Sequence, residues 1–111
     1  MAALDLLAAD APEQRAWTER FGVGVDEIAL RYDDMYRFAE RLSAEGRLRP
    51  ETLPLLRAVD AHLAAMTADG RAPDLWTREA LAMQPAWERA RILARRALAA
   101  ETAQGPPAAH P

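Results

Sequence analysis

Asp60 is the polar residue that most needs explaining. On a helical projection it falls inside an apolar arc made by Leu53, Leu56, Val59, Leu63 and Met66. A carboxylate drawn out of water needs a partner or an opening to solvent. Two roles fit. It is either a satisfied buried acid that fixes helix register, or a general acid or ligand contact in a pocket. Arg31, at the edge of the preceding apolar face, is a candidate partner. So are the indole N–H of Trp76 and the start of the helix after Thr77. If Asp60 lines a pocket, Tyr32, Tyr36 and Trp76 are expected around it. An open cavity reaching Asp60 favours a small-molecule binder; a sealed core with a paired Asp60 favours a partner-binding module.

The other reactive residue types offer less. Asp33 and Asp34 are adjacent, as in acidic motifs that hold a divalent cation bridged to phosphate, but position 37 is Arg rather than an acid. Successive helical residues diverge by about 100°, so the two carboxylates do not converge. Asp33 and Arg37 form an i, i+4 surface pair more simply. His62 and His110 share no metal-ligand spacing. Ser43, the one serine, has no neighbouring base to activate it. There is no cysteine, hence no thiolate ligand, thiol nucleophile or disulfide. The sequence therefore gives no catalytic set, no metal site and no cofactor.

Arg89, Arg91, Arg95 and Arg96 make one segment basic, and this is where an acidic partner or nucleic acid would touch. They do not form one stripe. Arg91 and Arg95 share a flank, while Arg89 and Arg96 lie on the outer side, so an ordinary solvated face is expected. Leu30 and Ile92 fall on polar sides of their helices. Lone exposed apolar residues are common, but packing that brought these two together would make an interface, with Arg89 and Arg96 beside it.

Composition sets the frame for these residues. The 111 residues fit one domain. Half are hydrophobic, but 26 are Ala, the strongest helix former, so the core is built from small, close contacts. All 14 basic residues are Arg, and Lys, Asn and Cys are absent, as a GC-rich genome would give. The net charge is −3 and the pI near 5.4, which argues against gaining affinity by neutralising phosphates. The acidic start lacks a signal peptide's basic n-region, and no apolar run is long enough for a membrane span. A cytoplasmic protein with no nucleic-acid or membrane partner is expected.

The elements that position these residues read as helices. Only five residues are Val or Ile, and alternating patterns are missing. Residues 2–21 predict one kinked helix or two short ones. Asp10 caps the second part, Pro12 lies in its first turn, Trp17 and Phe21 make its apolar stripe, and Gly22 stops it. A second helix, 25–45, has Gly24 as its N-cap and a staple from Val23 to Ile28. Its wide face of Ile28, Tyr32, Met35, Tyr36, Phe38, Ala39 and Leu42 marks it as central, and Gly46 stops it. A third runs from Pro50 to about Thr67, capped at Arg49 and stopped by Gly70, with a turn at 71–74. A fourth starts after Thr77. The fifth runs from Pro85 to about Glu101, with Ala86, Trp87, Ala90, Leu93, Ala94, Ala97 and Leu98 inside.

These readings predict an all-α fold: a small antiparallel bundle of about five helices over residues 1–101, with its core in helices two, three and five. A disordered tail is expected over 102–111. With no chemistry-bearing constellation, the expected function is a non-enzymatic protein–protein interaction module. It would be an adaptor, an immunity- or antitoxin-like partner, or a self-associating subunit, bound to another protein or to itself. The alternative is a small-molecule binder or enzyme with a bundle pocket near Asp60.

Overall fold

The computed structural model describes residues 1–68 and 74–103, and among them there is no strand. Seven helices follow one another: α1 (Ala2–Ala8), α2 (Ala11–Phe21), α3 (Asp26–Tyr36), α4 (Ala39–Ala44), α5 (Thr52–Ala68), α6 (Arg78–Met83) and α7 (Pro85–Thr102). The Gly70 stop, the turn over 71–73, His110 and all but the first two residues of the expected tail lie outside the described residues. The protein is the expected all-α bundle; residues 2–21 form two short helices, one of the two expected readings, and the predicted 25–45 helix is divided in two.

The first division has a local cause. Ala9 is extended, and the Asp10 carboxylate accepts the Glu13 backbone N–H at 3.0 Å, so α2 begins with its own cap. Gly22 closes α2 in the left-handed conformation at φ 62°, where a side chain would be strained. The second division, at Arg37–Phe38, has no Gly or Pro to mark it. A tight turn there carries Phe38 outward, where it is 57 % exposed, and turns Ala39 into the core. An unbroken helix would have set the two about 100° apart, at the edge and near the middle of the wide predicted face. The N-terminus of α3 also differs, since Val25 rather than Gly24 precedes the first helical residue, and Val25 rather than Val23 is buried.

The centre of the bundle is α7, not the segment 25–45. It packs on α5, α1 and α6. Its buried Trp87, Ala90, Leu93, Ala94 and Ala97 match the predicted face, and the alanines let neighbouring backbones come close. α5 and α7 run antiparallel. Glu101 near the end of α7 accepts hydrogen bonds from the Arg49 N–H and the Thr52 hydroxyl at the start of α5. At the other end the His62 Nε2 lies 2.7 Å from the Ala86 carbonyl. α1 belongs to the core through Leu4 and Leu7, both fully buried, which periodicity over so short a segment did not reveal.

Candidate functional site

α3 and α5 are held together at one end by the Tyr32 hydroxyl, which donates to the Leu56 carbonyl at 2.7 Å. Beside that bond a cleft of about 700 Å³ lies between the two helices and Trp76. Its walls are mostly apolar: Ala29 and Leu30 from α3, Leu63, Ala64 and Ala68 from α5, and Trp76 ahead of α6. Its polar lining consists of three carboxylates, Asp26, Asp33 and Asp60, with Thr67 and Tyr32. No basic side chain lines it among the described residues.

Asp60 is half-buried in this cleft, and no hydrogen bond from a described residue reaches its carboxylate. Desolvation, helped by the nearby charge of Asp33, pushes its pKa above the usual carboxylate range. The expected partner is elsewhere: Arg31 pairs with Glu27 at 3.5 Å and lies over the Trp17 ring, 5.3 Å from its centroid, in a separate depression. The start of α6 is capped by Thr77, whose hydroxyl accepts the Ala80 N–H. Trp76 borders the cleft and stands edge-on to Trp87, 5.5 Å between centroids. Tyr32 is fully buried and its phenol is pushed far up by burial and by Asp60, so it stays a neutral donor. Tyr36 stacks on Tyr32 at 6.0 Å but does not line the cleft. Of the four residues expected around a pocket, the fold brings Asp60, Tyr32 and Trp76 together and leaves Tyr36 out, and Arg31, the candidate partner of Asp60, is out as well.

The adjacent aspartates diverge as their spacing requires. Asp33 faces the cleft and pairs with Arg37 at 3.0 Å, while Asp34 lies in the depression holding Arg31. Leu30, 51 % exposed, lies at the cleft, whereas Ile92 sits in another depression beside Met83 and Pro85. Within one copy these two apolar residues do not share a surface. Among the described residues, no cluster of His, Asp and Glu could hold a metal ion, and no helix is long and apolar enough to cross a membrane.

The basic segment is not uniformly a solvated face. Arg91 is buried at 4 % exposure, with Nη1 donating to Gln14 Oε1 at 2.8 Å and Nη2 to Glu88 at 3.2 Å. Gln14 is itself fully buried, and its amide nitrogen donates to the Leu7 carbonyl, which the end of α1 leaves without a backbone donor, and to the Leu6 carbonyl, which also accepts the Ala9 N–H. Arg95 reaches the Ala8 carbonyl in the same way. On α2 the buried positions are therefore Gln14 and Thr18, not Trp17 and Phe21, and Phe21 is 56 % exposed. The signal for Arg91 was present: one helical turn after Trp87, it falls within about 40° of that ring on the projection. Arg89 and Arg96 are exposed, as expected. No protein-family model matches this chain, and neither does any curated protein or solved structure.

Proposed function

We propose that this chain is a non-enzymatic binding module and that the cleft between α3 and α5 receives a segment of another protein, one that carries an apolar side chain flanked by basic ones. The observation that supports this reading is the composition of the cleft: apolar walls, three carboxylates and no described basic residue. An apolar group entering it removes surface from water, and a cation beside it relieves the crowded negative charge. Leu30 extends the apolar surface from the cleft onto the exposed side of α3, which suits an elongated occupant.

A second reading has a specific observation behind it. The cleft volume falls in the range of small-molecule sites, and Asp60 lies open to it, the arrangement expected of a small-molecule binder rather than of a partner-binding module. A small apolar cation would use the same groups.

The test compares affinity capture from the native cell extract on wild type and on Leu30→Arg, read by mass spectrometry. A protein retained by wild type and lost on the variant is the expected result. Identical retained sets would overturn the proposal. Titration with benzyltrimethylammonium, followed by tryptophan fluorescence in wild type and Trp76→Phe, addresses the second reading. Saturable quenching that needs both Trp76 and Asp60, with no protein retained, would put the small-molecule reading in its place.

A further inference from the structure

Asp26, Leu30 and Asp33 are separated by four and then three residues along α3, and all three line the cleft. At about 100° per residue they fall within about 60° of each other, a stripe of acid, apolar, acid about 10 Å long. Arg89, Ile92 and Arg96 are separated by three and then four residues along α7. They too fall within about 60°, a stripe of base, apolar, base of the same length. Reversing one helix makes the spacings identical, so that Asp33 meets Arg89, Leu30 meets Ile92 and Asp26 meets Arg96.

The acidic stripe lines the cleft, while Arg89 and Ile92 line a different depression of the same copy and Arg96 lies exposed beyond it, so the match can be satisfied only between copies. Resting on the reading of the cleft as a protein-binding site, we propose that its occupant is a second copy of this chain, whose Arg89–Ile92–Arg96 stripe docks antiparallel on Asp26–Leu30–Asp33.

Several features agree with this pairing. Arg89 and Arg96 are exposed and make no ion pair with a described residue. Met83, 76 % exposed, borders the same depression as Ile92 and adds apolar surface to the incoming side. Arg89 arrives beside Asp33, close enough to Asp60 for the two carboxylates to sense one another, and so brings a cation to a cleft whose described lining holds none. The competing Arg37 partner of Asp33 is an exposed pair of small worth. The contact joins two different surfaces, so it builds a closed ring if the rotation closes and a longer chain if it does not.

Charge reversal tests the contact. Asp26→Arg/Asp33→Arg gives a basic cleft, and Arg89→Glu/Arg96→Glu gives an acidic stripe. Sedimentation equilibrium of wild type at low ionic strength should show assembly that weakens with added salt. Each double variant alone should associate at least about tenfold more weakly. An equimolar mixture of the two should regain assembly, because every junction again joins opposite charges. Regained assembly also shows that both variants fold. Wild type that stays monomeric to about 1 mM, or assembly indifferent to either reversal, would overturn the proposal. A monomeric wild type whose cleft still retains another protein, lost on Leu30→Arg, would overturn self-docking while leaving the binding role intact.

Discussion

Two of the places where this small bundle puts polar groups below the surface treat them differently. Where α1, α2 and α7 meet, Gln14 and Arg91 are buried among apolar side chains and hydrogen-bonded to each other. Gln14 also serves the Leu6 and Leu7 carbonyls, and Arg91 also serves Glu88. The polar groups there complete one another, and the region is sealed. Between α3 and α5, Asp60 has apolar neighbours too, but no described residue donates to it and the cleft stays open. A buried polar network that closes on itself fixes the packing of its helices. A carboxylate left facing an apolar cleft is unfavourable for the fold and suited to a group arriving from outside.

The most disruptive way to break the comparison is at Trp87, which is fully buried, donates its indole N–H to the Leu75 carbonyl at 2.6 Å, and supports Trp76 at the cleft. Trp87→Ala should lower stability by about 3–5 kcal/mol in denaturant melts and loosen the cleft with it. A loss below about 1 kcal/mol would place Trp87 outside the core.

Gln14→Leu tests the sealed side directly. It keeps a comparable volume but leaves the Leu7 carbonyl and one Arg91 donor without their partner, while the Leu6 carbonyl keeps the Ala9 N–H. The expected loss is about 2 kcal/mol. An unchanged midpoint would mean that water replaces the amide and that the region is not sealed.

Asp60→Asn is expected to move the midpoint the other way. The folded-state pKa of Asp60 is raised, chiefly by burial and then by Asp33, so the folded protein binds that proton more tightly than the unfolded chain does. The Asp60 contribution therefore worsens as pH rises from the ordinary carboxylate range through the raised value, and recovers as pH falls. Asn should be more stable than Asp at neutral pH, with the difference vanishing near about pH 3, where the carboxyl is protonated. Destabilisation at neutral pH would show that a buried partner holds the charge, and would return Asp60 to a structural role.

The smallest effect on folding should come from Leu30→Ser. The side chain is half exposed, and stability should change by no more than about 0.5 kcal/mol, while retention of a protein partner should be lost. A large loss of stability would mean that Leu30 is part of the core rather than of the cleft.

Much of the fold was legible in the residues themselves. The Asp10 and Thr77 caps, the restart at Pro85 and the buried faces of α5 and α7 follow from local hydrogen bonding and from the 3.6-residue period, which act within a few residues. The Asp33–Arg37 pair is equally local. The all-α class rests on the same terms summed along the chain.

The rest depended on packing. The turn at Arg37–Phe38 has no Gly, Pro or capping side chain to announce it. Arg91 read as surface because its charge outweighed its position, and only the Gln14 amide, 77 residues away in sequence, makes that burial tolerable. Arg31 read as a partner for Asp60 because both lie near apolar faces, yet the orientation of α3 turns it toward Trp17. Periodicity placed Asp60 on the inner side of its helix. Whether that side was sealed or open was decided by how α3, α5 and Trp76 come together, which is set by contacts across the whole bundle and carried by no single stretch of residues.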